Sequence, residues 1–344
     1  MSVTPEISII VVSWNGENVI LNCLESLLAQ SFSGFEIIVI DNGSRDRTRE
    51  KIRSLSDPRI ILRENRENLG FAAANNLGLD RARGRYLALF NQDARADRHW
   101  LSELLRLAES NPRAGMIASK VLRPGVPPTL DSTGLVIYPD GLNRTRGGGE
   151  PDSGQYDQIE EVFAPSGSAA FYRREMLART GFFDPACFLY GEDIDLGFRG
   201  RLQGWTCLYQ PRASVFHPDP ARPALDPRRK IYFVERNRIR LALKYLPFSA
   251  LVSGFFYSTP KRYLFQGLSY RNGCGPAGAF RRQGGNFFDL VRLTLRAHFS
   301  IIPDIPSLLS ERIRWKRERR VSPREILSWF RKFGISARRI SDQN

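Results

Sequence analysis

Apolar residues in the first third of the chain alternate between two spacings. Residues 7–13 read ISIIVVS, a nearly continuous β-branched run of the kind that forms a buried parallel strand. After this run, apolar side chains recur at the spacing of one helical face, at Val19, Cys23, Leu24, Leu27 and Leu28. Four such strand–helix alternations lie between residues 7 and 109. The pattern predicts an open, doubly wound, mostly parallel α/β sheet.

The remaining predicted elements follow from the same two spacings. Further strands are predicted at residues 36–40, 59–62, 86–90, 115–122, 205–209 and 213–216. Helices are predicted after Ser44 or Asp46 and at residues 71–83, 100–109, 192–202 and 228–245. Residues 124–154, rich in Pro, Gly and Asp, predict a hairpin and a mobile loop. Residues 246–344 are amphipathic and basic, so we expect an α/β domain over residues 1–245 and a C-terminal helical region after it.

Polar side chains gather where the predicted strands end, which is where open α/β sheets bind their ligands. These positions are Ser13 and Asn15 after the first strand, Asp41 and Asn42 after the second, residues 65–70 after the third, and Asn91, Gln92 and Asp93 after the fourth. Three of these places carry a side chain that is able to hold a nucleotide or a metal ion.

Two of the strand-end carboxylates have competing interpretations. Asp93 alone would suffice for Mg²⁺ or Mn²⁺, because such ions keep waters and take further ligands from substrate phosphates. A helix cap for the segment that begins near Asp97 explains Asp93 equally well. Asp41 is able to accept hydrogen bonds from a base or ribose, although its sequence DNGS by itself favours an Asx-turn.

Acidic residues are densest at Glu192, Asp193 and Asp195. Their mutual repulsion should raise at least one carboxyl pKa, which suits a general base. The apolar and aromatic residues just before them favour a pocket over a solvated helix start. His217 follows a predicted strand and could bind a metal, although a structural role is commoner for a lone histidine.

Composition narrows the class of protein. Hydrophobic residues make up 42% and charged residues 25%, as in ordinary soluble globular proteins. No apolar run approaches the roughly 18 residues that a membrane span needs, and no signal core follows the N-terminus, so we expect a cytoplasmic protein. Four widely spaced cysteines without a CxxC pair argue against structural zinc and against a disulfide framework.

The net charge of +15 is uneven along the chain. Residues 311–344 hold eleven Lys or Arg and four acids, a net +7 that suits an anionic membrane surface or nucleic acid. Aromatic residues lie among these cations, as an interfacial helix requires, at Trp315, Trp329, Phe330 and Phe333. We expect this tail to bind an anionic membrane, with a solvated basic tail as the alternative.

Ordered sequence motifs extend over residues 6–245. They are IIVVSWN at 9–15, VIDNGS at 39–44, NLGFAAANNLG at 68–78, YLALFNQD at 86–93, GSAAFYRR at 167–174, GFFD at 181–184, FLYGEDIDLGFR at 188–199, PRASVFH at 211–217 and the pair Arg236-Asn237. In this order they resemble glycosyltransferase family 2, above all its rhamnosyltransferase-like branch, which builds O-antigen and other bacterial surface polysaccharides. The resemblance implies a GT-A fold, a Rossmann-like α/β architecture.

The resemblance also implies an activity. An inverting, metal-dependent glycosyltransferase would move a sugar from a nucleotide-diphosphate sugar, dTDP-rhamnose or a UDP-sugar, to a hydroxyl of a glycan or a polyprenyl-diphosphate-linked acceptor. Mg²⁺ or Mn²⁺ would be its cofactor. Family members of this kind often work at the inner face of the bacterial membrane, so a peripheral membrane location is expected. No nucleic-acid partner is expected.

The resemblance assigns roles to individual residues. Asp193 matches the catalytic base, with Glu192 beside it to orient the base or the acceptor, and Asp195 and Tyr190 are expected to contact the acceptor. Residues 91–93 take the place of the family's DxD motif with Asn first, and Asp93 and His217 are the expected metal ligands. The expected donor contacts are Ser13, Asn15, Asp41, Asn42, Gly70, Asn75, Asn76, Asn91 and Gln92. Because Asn75-Asn76 stands where many members have Arg-Asn, one donor-phosphate contact is expected to be missing or supplied elsewhere.

Two other functions remain open from sequence. A nucleotidyltransferase has a similar sheet and also uses carboxylates and metal, but residues 11–16, VVSWNG, are not the Gly- and Arg-rich phosphate loop that it would carry. A non-catalytic polyanion-binding protein would account for the positive charge but would leave the series of carboxylates without a role.

Overall fold

The computed structural model describes residues 4–218 and 226–342, and its contacts divide the chain into two compact units. The first unit comprises Met1–Gly134, Glu150–Arg201 and Trp205–Pro220. The second comprises Leu135–Gly149, Leu202–Gly204 and Ala221–Asn344. The boundary expected after residue 245 therefore does not coincide with this division, because the helix that precedes it belongs to the second unit.

The strands of the chain are, in order, β1 (Ile7–Ser13), β2 (Phe35–Asp41), β3 (Ile60–Glu64), β4 (Tyr86–Asn91), β5 (Arg95–Ala96), β6 (Ala114–Arg123), β7 (Thr129–Ser132), β8 (Leu135–Ile137), β9 (Asn143–Thr145), β10 (Glu160–Val162), β11 (Ala169–Arg173) and β12 (Thr206–Phe216). The strands predicted at 205–209 and 213–216 are thus one strand. Its pairing with β6 shifts register between Gln210 and Ser214, which explains why the apolar pattern is interrupted there.

The α-helices of the first unit are α1 (Ile20–Leu28), α2 (Thr48–Ser54), α3 (Phe71–Leu79), α4 (Trp100–Ser110), α5 (Arg174–Thr180) and α6 (Glu192–Leu202), the last ending in the second unit. Those of the second unit are α7 (Pro227–Tyr245), α8 (Phe248–Ser253), α9 (Thr259–Asn272), α10 (Gly275–Arg282), α11 (Phe287–Phe299), α12 (Ile305–Glu318), α13 (Pro323–Lys332) and α14 (Ala337–Asp342). The predicted C-terminal helical region is confirmed.

The main sheet has the strand order β10-β12-β6-β11-β4-β1-β2-β3. β1 runs parallel to β2 and β4, β2 runs parallel to β3, and β6 runs parallel to β12. β11 is antiparallel between β4 and β6. The predicted doubly wound, mostly parallel sheet is confirmed.

Buried side chains cover both faces of this sheet. Alternate residues of β1 point to opposite faces, so Ile9 packs with Leu24 of α1 on one face while Ile10 packs with Met176 of α5 on the other. Residues 124–154 divide between the units: β7 pairs with β6, and β8 and β9 form the predicted hairpin.

The basic tail does not expose the aromatic residues that were expected to reach a membrane. Trp315, Trp329 and Phe333 are buried, and Phe330 is half-buried. On α13, Trp329 shares its buried side with Ile326, so the aromatic positions belong to a core-facing stripe rather than to an interfacial one. The prediction of an interfacial helix built on these residues was wrong. Among the described residues, no helix combines the length and apolar character needed to span a bilayer.

Candidate active site

Three of the strands expected to bind ligands end at the same edge of the sheet. β1 pairs with β2 so that Ser13 lies opposite Asp41. β4 lies on the other side of β1, with Asn91 opposite Val12. The residues that follow these strands therefore meet at the carboxyl edge, where ligands of such sheets bind.

One carboxylate oxygen of Asp41 accepts a local hydrogen bond, and the other has no partner among the described residues. Its side chain is fully buried, and Oδ2 accepts a hydrogen bond from the Ser44 N–H at 3.2 Å, so the Asx-turn is present. Oδ1 is also buried and has no hydrogen-bond partner within the described ranges. Because a buried acceptor without a donor is costly, Oδ1 is a place where a ligand N–H or hydroxyl fits.

The amide of Asn42 is fully used inside the protein. Its Oδ1 accepts from the Asn65 Nδ2 and the Leu69 N–H, both at 3.1 Å. Its Nδ2 donates to Asn68 Oδ1 at 3.0 Å and to the Gly70 carbonyl at 3.3 Å. An amide side chain offers two donors and two acceptor sites. The expected donor contact of Asn42 is therefore corrected: this amide shapes the loop of residues 65–70.

Gln92 and Ser13 bind each other and together fix the turn that follows β1. Gln92 Oε1 accepts from the Ser13 hydroxyl at 2.7 Å and from the Trp14 N–H at 3.1 Å, and its Nε2 donates to the Trp14 carbonyl at 3.2 Å. Ser13 is fully buried, so its expected donor contact is corrected to a positioning role. Gln92 is half-buried, and its donor contact stays a prediction.

Asn15 ties that turn to the residues after β2. Its backbone has φ +49°, its N–H donates to Ser44 Oγ at 2.9 Å, and its Oδ1 accepts from the Arg45 N–H at 2.9 Å. These bonds bring the two loops together around Asp41. A contact between the Asn15 side chain and the donor stays a prediction.

The asparagine pair of α3 faces two different neighbours. Asn76 donates from Nδ2 to the Phe183 carbonyl at 2.9 Å and accepts from the Phe183 N–H at 3.1 Å. The amide thus supports this backbone segment, and its expected donor contact stays a prediction. Asn75 is buried and donates to the Phe71 carbonyl at 2.9 Å, and its role toward the donor stays a prediction.

A line of polar groups connects the end of β4 with the end of β12. His217 Nε2 lies 3.2 Å from Asp93 Oδ1 and 3.3 Å from Asn91 Nδ2. The other ring nitrogen, Nδ1, lies 3.0 Å from Asp131 Oδ2. Arg123 holds the second oxygen of Asp131 at 2.7 Å. The two residues expected to bind metal are thus brought together, and Asp131 fixes the orientation of the imidazole.

The charge of this line fits a cation. Burial by itself lowers the pKa of His217, but the hydrogen bonds to Asp131 and Asp93 outweigh burial and raise that pKa to about 9. The imidazolium therefore supplies a positive charge between two carboxylates. A divalent ion at Nε2 would have to displace the proton that this nitrogen shares with Asp93.

The described ranges contain no cluster of three or more His, Cys, Asp or Glu side chains arranged as a full metal cage. The reason is geometric, because Asp93 and Asp131 meet opposite nitrogens of the His217 ring. Mg²⁺ and Mn²⁺ in nucleotide sites are often held by one or two protein ligands plus water and phosphate oxygens. Asp93 and His217 fit that kind of site, with Asp131 behind the histidine.

Glu192 and Asp193 begin α6 with different surroundings. Glu192 is buried, and its Oε2 has no hydrogen-bond partner in the part of the chain that the structure describes. Burial and the charge of Asp193 raise the pKa of Glu192 to about 8. Asp193 is half-buried, and its oxygens accept the Gly167 N–H at 3.1 Å and the Ile194 N–H at 2.7 Å. Burial raises the pKa of Asp193, although these two N–H groups oppose the shift.

Asp195, unlike the half-buried Asp193, is almost completely buried. It is 2% exposed, and its Oδ2 accepts from Arg199 Nε at 2.8 Å within α6. Arg199 also donates to the carbonyls of Thr180 and Phe182, so the pair joins the helix to the preceding segment. The expected acceptor contact of Asp195 is corrected, because its carboxylate points into the protein.

The backbone before α6 is strained. Phe188 and Tyr190 have φ values of +60° and +66°, which side chains other than glycine rarely adopt, and Gly191 follows with φ +92°. The Phe188 carbonyl accepts the Phe71 N–H at 2.8 Å, which holds this turn in place. Burial and the neighbouring Glu192 raise the pKa of Tyr190 to about 12. The acceptor contact of Tyr190 stays a prediction.

Gly167 and Ser168 join the two halves of the site. The Gly167 N–H binds Asp193, and the Ser168 carbonyl accepts the Asn91 N–H at 3.0 Å. The motif GSAAFYRR contained both residues without indicating that role. Asp131 was also missed, because it lies 86 residues from His217 in the proline-rich stretch and no spacing links the two.

A family model described as Glycosyl transferase family 2 matches residues 8–181. The O-antigen biosynthesis protein RfbC of Myxococcus xanthus is 26% identical over 232 residues, which are 65% of this chain and 18% of that protein. The UDP-Glc:alpha-D-GlcNAc-diphosphoundecaprenol beta-1,3-glucosyltransferase WfgD of Escherichia coli is 39% identical over 87 residues, 25% of this chain and 34% of that protein. The chain thus spans about a third or less of the length of these curated relatives.

Among solved structures, GalNAc-T7 with UDP, GalNAc and Mn²⁺ is similar with a TM-score of 0.60 and 15% identity. The similarity covers 76% of this chain and 51% of GalNAc-T7. Similarity at this identity concerns the fold, and it confirms the predicted GT-A architecture.

Proposed function

The chain belongs to glycosyl transferase family 2, and on this basis we propose that it transfers a sugar from a nucleotide-diphosphate sugar to an acceptor hydroxyl. The observation that carries the proposal is the half-buried carboxylate of Asp193. Two backbone N–H groups orient it, and Gly167 and Ser168 connect it to the end of β4, where Asp93 meets His217.

The donor would lie along the carboxyl edge of the sheet. The free Oδ1 of Asp41 would accept a hydrogen bond from the base or ribose, and its burial makes that bond valuable. The other residues proposed to contact the donor are Asn15, Gly70, Asn75, Asn76, Asn91 and Gln92. We propose a UDP-sugar or dTDP-rhamnose as donor. The Escherichia coli relative, whose name includes UDP-Glc, supports the first of these.

Asp93 and His217 would hold Mg²⁺ or Mn²⁺, and Asp131 would keep the His217 ring in place. The ion, when bound, would neutralise charge on the departing nucleoside diphosphate. GalNAc-T7, which has a similar fold, is described with Mn²⁺.

Asp193 would act as the base of a single displacement. The acceptor oxygen forms a bond to the anomeric carbon as the bond from that carbon to the diphosphate oxygen breaks, and the hydroxyl proton moves to Asp193. Attack from the side opposite the leaving group inverts the anomeric configuration. Burial raises the pKa of Asp193, which makes its carboxylate a stronger base. Because Glu192 would be protonated near neutral pH, it would add no second negative charge beside the reacting oxygen.

We propose a glycan or polyprenyl-diphosphate-linked acceptor, in surface polysaccharide synthesis at the inner face of the membrane. The names of the two curated relatives support this, since one is an O-antigen biosynthesis protein and the other acts on a diphosphoundecaprenol-linked sugar.

The test is a donor screen on the full chain with UDP-, dTDP- and GDP-sugars, Mn²⁺ or Mg²⁺, and free or polyprenyl-diphosphate-linked saccharides. Acceptor-dependent release of a nucleoside diphosphate is expected for one donor. Pyrophosphate release from a nucleoside triphosphate and a sugar phosphate would instead identify a nucleotidyltransferase. Salt-dependent oligonucleotide binding without turnover of any donor would favour the polyanion-binding alternative.

A further inference from the structure

The second unit exposes aromatic side chains on a π-helical turn between α8 and α9. Phe255, Phe256 and Tyr257 are 70%, 75% and 63% exposed. We refer to these three residues as the aromatic turn. Large exposed apolar groups that adjoin one another are uncommon on soluble proteins and mark binding surfaces.

Helix α11 adds an exposed apolar stripe. Phe288, Val291, Leu295 and Phe299 are all exposed, and at 100° per residue they fall within one face of the helix. Ala297, on the opposite face, is buried. The helix therefore packs on one side and leaves an apolar side uncovered.

Helix α12 repeats this arrangement. Ile305, Leu309 and Ile313 are exposed at intervals of four residues, while Leu308 and Trp315 are buried on another face. Both α11 and α12 pack against α7. Contacts between the rings of Tyr263 and His298, 6.5 Å apart, also join α9 to α11, so the helices that carry exposed apolar groups are neighbours.

The charge around these groups is positive. Residues 246–318, which carry all of these groups, contain eleven Lys or Arg and four acids, and one of the acids, Asp289, pairs with Arg228 at 3.2 Å. Arg292 and Arg296 are exposed beside the stripe of α11. Apolar side chains flanked by cations match an anionic lipid surface, which offers acyl chains below a layer of phosphates.

A cavity of about 510 Å³ lies at the start of α8, between the end of α7 and α12. Four cations line it, namely Lys244, Arg312, Lys316 and Arg319, and the exposed Phe248 lies at its edge. Glu311 lies 3.7 Å from Lys244. Burial, and to a smaller extent the charge of Arg319, lower the pKa of Arg312, as expected for a partly buried cation beside another cation. A phosphate group would relieve the repulsion between these cations.

We infer that these elements of the second unit dock on an anionic phospholipid bilayer, with the aromatic turn and the stripes of α11 and α12 in the interface and a headgroup phosphate in the cavity. Such docking uses the cations and Ile313 at the start of the basic tail, and not the buried Trp315, Trp329 and Phe333. It needs no sugar transfer, so its test is independent of the proposed activity.

The apolar part is tested by flotation of the full chain with vesicles of phosphatidylethanolamine and phosphatidylglycerol. The wild type is expected to bind, and Phe255→Ser/Phe256→Ser/Tyr257→Ser to bind at least about tenfold more weakly because three interfacial side chains are lost. The matched control is Val126→Ser/Ile159→Ser, which removes exposed apolar groups from the first unit. Equal binding by the aromatic variant and the wild type would overturn the inference.

The charged part is tested with Lys316→Glu/Arg319→Glu. This variant is expected to lose about tenfold in affinity for the anionic vesicles and little for phosphatidylcholine vesicles, because it removes attraction to phosphate. Arg81→Glu/Arg113→Glu, at exposed sites of the first unit, is the control. Thermal unfolding confirms that each variant is folded.

Two outcomes contradict the inference. One is equal affinity of the wild type for anionic and neutral vesicles. The other is a wild type that ignores vesicles but forms a dimer in sedimentation, which the aromatic-turn variant abolishes; the apolar groups would then be an interface with a second copy of the chain.

Discussion

Glu192 and Asp193 are adjacent in sequence but have different chemical environments. The first has a buried oxygen without a partner within the described ranges, and the second has both oxygens on backbone N–H groups and partial access to solvent. Access and orientation identify Asp193 as the residue able to meet a substrate proton. The raised pKa of Glu192 makes it the neutral member of the pair near pH 7.

Glu192→Gln should change how stability depends on pH. The pKa of Glu192 rises from 4.5 to about 8 on folding because of burial and Asp193, so the folded state holds the proton more tightly than the unfolded state. This stabilisation is complete below about pH 4.5 and is lost as pH rises through 8.

Glutamine remains neutral at every pH. The free energy of unfolding of the variant, relative to that of the wild type, should therefore rise by at least about 1 kcal/mol from pH 5 to pH 9. Urea unfolding at both values measures the gain, with exposed Glu175→Gln as the control. Parallel pH profiles for Glu192→Gln and the wild type would disprove the shift.

Asp131→Asn should weaken metal binding although Asp131 is not itself a proposed metal ligand. Removal of the charge behind His217 loosens the ring and makes Nε2 less basic, so Mn²⁺ affinity in the presence of UDP should fall about 10–100-fold. Calorimetric titration measures this. Asp152→Asn, which alters another carboxylate paired with a buried cation, is the control. Unchanged Mn²⁺ affinity in folded Asp131→Asn would exclude the positioning role.

The sequence indicated which positions surround the site better than it indicated their contacts. Asp41, Asp93 and His217 were proposed as site residues through the family resemblance, because the residues alone left an Asx-turn, a helix cap and a structural histidine open. Asn42 was misassigned, since an amide that binds a ligand and one that binds the backbone look identical in sequence. Only the fold decides which neighbour occupies each amide.

At the scale of elements, the strained turn at Phe188–Gly191 packs against the start of α3. Gly70 has φ +84°, and a Cβ there would lie 2.6 Å from Phe188 Cδ2. The first helical turn of α3 and the turn before α6 are therefore fixed against each other by a residue without a side chain.

Gly70→Ala should destabilise the protein by about 2 kcal/mol or more, because the added methyl group meets both a strained φ and the Phe188 ring. Gly204→Ala is a matched control, since it has the same φ of +84° but no atom within 4 Å of an added Cβ. The control isolates the cost of the backbone conformation. Equal losses in chemical denaturation would show that contact with Phe188 contributes nothing.

Elements whose sequence pattern fits only one kind of secondary structure were predicted correctly. The β-branched run of β1 allowed little else, and β1, β2 and β4 appeared within a residue or two of their expected bounds. The tail was misread because a stripe of Trp and Phe at helical spacing serves a core as well as a membrane. The residues that bury this stripe are distant in sequence, so the sequence pattern did not show that the stripe is covered.

At the scale of the whole molecule, both units bury charged side chains beside apolar ones. The first unit buries the pair Asp195 and Arg199, and the second buries a larger network around Glu235. Glu235 accepts hydrogen bonds from Arg238, Arg262 and Tyr263, and all four side chains lie between α7 and α9.

Glu235→Gln should destabilise the second unit by about 3 kcal/mol, because two buried arginines would then share only Asp140 as a counter-charge. Exposed Glu318→Gln should change stability little. Thermal unfolding of both variants checks this, and equal melting temperatures would show that the buried network is not stabilising.

The central claim is that Asp193 is the base of the transfer reaction, and rates for purified Asp193→Asn test it most directly. The variant keeps the shape of the side chain, so it should melt like the wild type and bind the nucleotide sugar with similar affinity. Its transfer rate should fall about 10²–10⁴-fold, the usual contribution of a general base. A folded variant that retains more than about a tenth of wild-type transfer would contradict the account.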